Sequence, residues 1–293
     1  MPRVRVAVRL TYAPLLLVGI NGLAFTAISR GSAPWMLGAL LLGAIALSFA
    51  AERRLPYNSD WNRSHGDRGR DALHALVNEG ANFSTLLLLP VFTRITPASG
   101  LWPGGWPFVL QVLFAILVLD AGITLAHYAS HRVPFLWRFH AVHHSVRRMY
   151  GFNGLMKHPI HQAIETFAGT LPLFALGLPS QVACALVFAV AIQLLLQHSN
   201  VDYTVGPLRR LLATSEVHRF HHQKWPDVGD VNFGLFTTLW DHLLGTFHYG
   251  ARERFESAEL GIGAEPDYPT AYLAQLLAPF RQRKGAAAAA APP

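Results

Sequence analysis

Residues 108–144 read FVLQVLFAILVLDAGITLAHYASHRVPFLWRFHAVHH. An almost wholly apolar run, long enough to cross a bilayer as a helix, ends in histidines. His127 and His131 stand four apart, and His140, His143 and His144 follow at i, i+3 and i+4. On a helix these spacings put the rings on one face, with Cβ atoms about 5–6 Å apart, close enough to share a metal. A second triplet of the same spacing, His218-Arg-Phe-His221-His222, lies further along.

The rest of the chain agrees with a membrane class. Of its 293 residues, 52% are hydrophobic and only 14% charged, and the mean hydropathy is +0.27. That departs from the soluble average towards membrane proteins. Further apolar runs cover Leu10–Ile28, Pro34–Ala51, Leu76–Thr93 and Phe167–Gln197. The last is broken by Pro172, Gly177 and Pro179 and reads as a helical hairpin or a bent, partly re-entrant pair. Arg3, Arg5 and Arg9 before the first run resemble the start of a secretory signal, but the run is long and a second follows at once, so a retained first span is expected. The net charge of +7 points to an anionic membrane surface rather than to nucleic acid, because no basic soluble module is present. Arginines fill the segment after the second run, whereas the hairpin contains no Lys or Arg. The positive-inside rule then places the N-terminus and every histidine cluster in the cytoplasm, beneath about four to six crossings.

The single cysteine, Cys184, excludes an internal disulfide and a thiolate metal site. Thirteen of the 15 histidines lie between His127 and His248. Packing alone does not ask for two matching triplets plus a pair, and clustered imidazolium ions would repel one another. Eight histidines, joined by the single residues His158 and His198, exceed what one zinc takes and match two ions of four or five ligands each. Two adjacent irons would suit O2-dependent attack on a C–H bond. Each ring should be steered through its other nitrogen by an outer partner. Asp120, inside an apolar span, is the first candidate, with Asp241, Asp230, Glu165 and Glu216 behind it. His65, His74, His161, His242 and His248 read as structural.

These residues resemble the fatty acid hydroxylase / sterol desaturase superfamily. The likeness rests on His127-Tyr-Ala-Ser-His131-Arg132, Pro134-Phe-Leu-Trp137-Arg-Phe-His140-Ala-Val-His143-His144, His198-Ser-Asn200, His218-Arg-Phe-His221-His222, Asn232-Phe-Gly234 and Trp240-Asp-His-Leu-Leu-Gly-Thr246. It spans roughly residues 110–250, and the one departure is His242 and Leu244 where the family carries Arg and Phe.

The resemblance implies an all-α, multi-pass membrane protein with a cytoplasmic, histidine-rich di-iron cap. It implies His127, His131, His140, His143, His144, His218, His221 and His222 as metal ligands, with His158 and His198 as additional single ones. The expected division is a transmembrane region with its loop (1–105), the histidine-box domain (106–250) and a tail (251–293) ending in low complexity. The expected activity is hydroxylation of a lipid or sterol-like substrate drawn from the bilayer, with O2 as co-substrate. A lipid desaturase is the alternative, and a membrane metal-binding or transport protein is the alternative from another class. With no cysteine cluster, dinucleotide fingerprint or cytochrome b5 motif, electrons are expected from a separate ferredoxin or cytochrome. A bacterial inner membrane is the expected location.

Overall fold

The computed structural model describes residues 2–95, 100–250 and 254–281, with side chains from residue 5 and none for 85–95. The low-complexity end of the tail and part of the Pro/Gly-rich turn near residue 97 lie outside these. The described chain is helical, with only isolated bridges and no extended strand. It opens with α1 (Pro2–Pro14), one wide π turn (Leu15–Ile20) and α2 (Asn21–Ser29), in line. Pro14 has no N–H to give, which loosens the helix there. Then follow α3 (Trp35–Arg54), α4 (Arg68–Ile95) and α5 (Phe108–Arg132). After these come α6 (Pro134–His144), α7 (Pro159–Leu176) and α8 (Ser180–Gln197). The short helices α9 (Ser215–His221), α10 (Pro226–Gly229), α11 (Leu239–Leu244) and α12 (Tyr272–Leu277) complete the order.

Among the described residues, four helical stretches are long and apolar enough to cross a membrane: Arg5–Ser29, Trp35–Arg54, Phe108–Arg132 and Ser180–Gln197. Their outer faces carry Val18, Leu23, Leu42, Leu113 and Leu125 in the open, which suits hydrocarbon and not water. The run after Phe167 is broken into α7 and α8 between Leu176 and Ser180, as expected, and the two helices pack mainly on other elements. Gly177, in the left-handed region at φ 88°, ends α7, and Leu178 N–H bonds back to Leu173 O at 3.0 Å. The expected third run lies within α4.

α7 lies tightly along α5 because both are glycine at the contact. A Cβ on Gly122 would stand 2.2 Å from the Ala168 carbonyl oxygen, and one on Gly169 would stand 3.0 Å from Leu119 O. α8 runs through the middle, packing Leu186 and Ala189 against α5 and Ile192 and Leu196 against α1–α3. Tyr12 and Ser48 tie α1 to α3 by a 2.7 Å hydroxyl pair.

The cap begins where the spans stop. Val133 precedes Pro134, and that steric clash drives it out of the helical region to φ −105°, ψ 112°. α5 therefore ends at Arg132, and α6 restarts with Pro134 in its first turn. The elbow brings the histidines of α5 against those of α6. Polar pins fasten cap to base. Glu52 accepts N–H bonds from Gly151 (2.9 Å) and Asn200 (3.0 Å), and Arg148 grips Asp67 through two bonds of 2.6 and 2.8 Å.

Candidate metal centre

Nine histidines converge on two points. His127 and His131 from α5, His140 and His144 from α6, and His221 from α9 form one nest. His143 from α6, His198 at the end of α8, and His218 and His222 around α9 form the other. Within each nest the ligating nitrogens all lie within 4.8 Å of one another. The helical spacing thus splits each triplet: His140 and His144 turn to one nest and His143 to the other, while His221 parts from His218 and His222.

The partners behind the rings fix their protonation. His127 Nδ1 lies 2.8 Å from Phe233 O, His221 Nδ1 2.9 Å from Val231 O, and His131 Nδ1 2.8 Å from a carboxylate oxygen of Asp230. Carbonyl and carboxylate oxygens only accept, so each of these nitrogens carries the proton and each Nε2 presents a lone pair. Those lone pairs face inward, with His127 Nε2 and His221 Nε2 2.9 Å apart. His144 Nε2 sits 3.0 Å from His221 Nε2 and 3.1 Å from His131 Nε2. Two acceptors at such a distance repel unless a cation lies between them.

A proton does not serve as that cation. Burial, reinforced by neighbouring imidazoles, pushes His140, His143, His144, His218, His221 and His222 well below the ordinary histidine value. Burial, with Lys157 nearby, pushes His198 down to about 3. Nine neutral imidazoles in two nests fit two divalent first-row transition ions.

One loop supplies three of the acceptors: Asp230, Val231 and Phe233 serve His131, His221 and His127 respectively. Asn232, between them, takes φ 56°, a left-handed value that asparagine tolerates. Gly234 must be glycine, since a Cβ would stand 2.0 Å from Thr237 O.

Two buried carboxylates hold this loop. Asp241 accepts from Phe233 N (2.7 Å) and Gly234 N (3.0 Å). Asp120 accepts from the backbone N–H groups of Leu235, Phe236 and Thr237 and from the Thr237 hydroxyl, at 2.7–3.0 Å. Asp120 and Asp241 were expected to touch rings; instead each holds the backbone that touches them, because the loop's N–H groups stand between. Gln193 and Gln197 of α8 brace the same loop by donating to Leu235 O, at 2.7 and 3.2 Å.

His158 stands outside both nests. Its Nδ1 accepts from Ile160 N and caps α7, and its Nε2 meets Leu276 O at 3.1 Å. His161, read as structural, lies instead behind a nest: its Nε2 is 2.8 Å from His140 Nδ1 and 3.2 Å from Glu165 Oε1. Its i, i+4 spacing to Glu165 was the available signal. Asp230 meets the expectation of a direct outer partner, whereas Glu216 caps Val205 N away from the nests. His242 bonds to Arg210 O and stacks on Phe247. His74 joins Lys157 O to Gln275.

An apolar groove of about 750 Å³ runs beside α5, lined by Val118, Gly122, Ala168 and Trp240. Val118 precedes His127 by nine residues, half a turn out of phase at 100° a residue, so the groove lies on the face of α5 away from the nests.

Sequence comparisons agree with this architecture. A fatty acid hydroxylase family profile matches residues 112–246, a span that contains all nine nest histidines. The chain is 34% identical over 285 residues to the ornithine lipid hydroxylase OlsE of Rhizobium tropici, covering 94% of this chain and 84% of that one. It is 30% identical over 146 residues to an alkylglycerol monooxygenase of Danio rerio, covering 50% of this chain and 31% of that one. It is also 30% identical over 141 residues to the sphingolipid C4-hydroxylase sur2 of Schizosaccharomyces pombe, covering 47% of each. No solved structure matches the chain.

Proposed function

The chain belongs to the fatty acid hydroxylase family, and from that premise we propose that it hydroxylates a C–H bond of a membrane lipid at a pair of irons held by the two histidine nests. It is a membrane oxidoreductase. The observation that carries the metal reading is the set of inward lone pairs, fixed on His127, His131 and His221 by acceptors behind them. The ligands of this reading are His127, His131, His140, His144 and His221 for one ion and His143, His198, His218 and His222 for the other. His158 is left to its helix cap.

The bound irons would supply the redox chemistry that turns R–H, O2, two electrons and two protons into R–OH and water. The protein's own task is to hold the rings and keep them neutral. The loop at 230–233 orients three of them, and burial keeps bulk water away. The two electrons come from a separate ferredoxin or cytochrome, since one cysteine builds no iron–sulfur centre. Likeness over nearly the full length to an ornithine lipid hydroxylase supports a lipid with an amino-acid headgroup as the substrate. Relatives named as hydroxylases and a monooxygenase favour hydroxylation over desaturation and over metal transport. The arginines after α3 and the Lys- and Arg-free hairpin support a cytoplasmic cap in a bacterial inner membrane, with the division at about residues 105 and 250 kept from the sequence.

The test is the metal content of detergent-purified protein from iron-replete cells, beside a His143→Ala/His221→Ala variant. About two irons per chain, one for each nest, should be present and lost in the variant. The protein should then convert ornithine lipid to a product 16 mass units heavier, with O2 and a reductant (the mass of one added oxygen atom, about 16). A protein that takes up no iron under reducing conditions sinks the proposal.

A further inference from the structure

The two nests are backed differently. Behind the five-histidine nest one carboxylate touches a ring. Asp230 accepts from His131 Nδ1 at 2.8 Å and is shared with Arg132 at 3.2 Å. His161 Nε2 meets His140 Nδ1 at 2.8 Å, and the same nitrogen lies 3.2 Å from Glu165 Oε1, whose carboxylate is paired with the buried Lys157. One ring nitrogen does not both accept from His140 and donate to Glu165, so Glu165 is not joined to the nest by a chain of hydrogen bonds. His127 and His221 bond back to Phe233 O and Val231 O.

Behind the four-histidine nest, no carboxylate touches a ring among the described residues. His143 Nδ1 meets Met156 O at 3.1 Å, and His198 Nδ1 lies a long 3.4 Å from Leu194 O on its own helix. The Nδ1 atoms of His218 and His222 are buried and meet no hydrogen-bond partner among the described residues.

We propose that the two metal positions are inequivalent: the five-histidine nest takes the first ion and holds it more tightly, and Asp230, behind His131, is the positioning residue that sets the difference. This rests on the reading that the nests hold metal. An imidazole whose back N–H points at a carboxylate is a stronger donor than one bonded to a carbonyl, and the carboxylate's charge also favours the cation. An imidazole with no acceptor behind it loses on both counts, because ligation makes its N–H more polar while the buried N–H stays unpaired. The four-histidine nest also offers one ligand fewer.

The experiment is an anaerobic Co(II) titration of metal-free protein in detergent, followed by the visible bands of the bound ion. Two steps are expected, with dissociation constants about ten-fold or more apart. His222→Ala should delete the weaker step and keep the tighter one. Asp230→Asn should weaken the tighter step about 10–100-fold and leave the weaker one in place. A role in general folding would move both steps together. Two ions binding in one step of equal affinity, or a variant that moves both steps alike, overturns the inference and leaves the metal reading standing. A wild-type protein that binds no Co(II) overturns both.

Discussion

In the base, helices meet through small residues and apolar side chains; in the cap, segments meet through carboxylates, amides and backbone groups. Gly122 and Gly169 bring α5 and α7 together with no hydrogen bond at that contact, whereas the loop at 230–237 is held by Asp120, Asp241 and two glutamines. Hydrocarbon gives helices no hydrophobic reason to associate, so fit must supply the attraction. The cap has two small apolar clusters, around Met156 and around Trp61, but its nests must be placed to a few tenths of an ångström, which directional bonds do better than packing. The base should therefore answer to volume changes and the cap to charge and protonation.

Acidification should separate the two regions most. Seven nest histidines, His140, His143, His144, His198, His218, His221 and His222, stay neutral when folded but protonate when unfolded, below the ordinary value near 6.5. Their stabilisation is complete above that pH and is lost as the pH falls from there towards the folded-state values. Each contributes about 1.4 kcal/mol per pH unit, so over seven rings the metal-free cap should lose on the order of 10 kcal/mol between about pH 6.5 and 5 and unfold in that range. Hydrogen exchange should show the cap opening while the spans stay protected. Equal opening of both regions would break the comparison.

Asp120→Ala comes next. It strands three backbone N–H groups and a hydroxyl around a buried site, at a cost of about 4 kcal/mol. Metal content should fall with it, because Phe233 O no longer holds His127. Gly122→Ala should cost about 3 kcal/mol, since its methyl would meet backbone rather than a movable side chain. The thermal midpoint should drop, yet folded protein should keep its metal. A Gly122→Ala protein that is stable but metal-free would show that base and cap are not separable. The smallest effect should be Tyr12→Phe, which removes one buried hydroxyl pair for about 1 kcal/mol and should leave metal and activity unchanged.

Much of the centre was legible because histidine spacing and helical period are both local. Eight box histidines and His198 could be named from the chain, and all nine meet in the nests. His158 looked equivalent but caps α7, because a histidine before proline is placed as well to cap a helix as to ligate. His161 looked structural, and only its contact with His140 shows otherwise. Asp120 stood out as a carboxylate in an apolar span, yet its partners, 115 to 117 residues away, could not be read from its neighbours.

By itself the sequence determined the helical membrane class, the number of imidazoles and the helical faces they share, since these depend on composition and on a period of 3.6 residues. Tertiary structure alone decided which rings form a nest, how each triplet divides and which group stands behind each ring. Those depend on distances between helices far apart in the chain, such as His127 and His221, 94 residues apart yet 2.9 Å between nitrogens. Such distances come from the close packing of α5, α7 and α8 and from the loop pinned across them, and no local pattern encodes them.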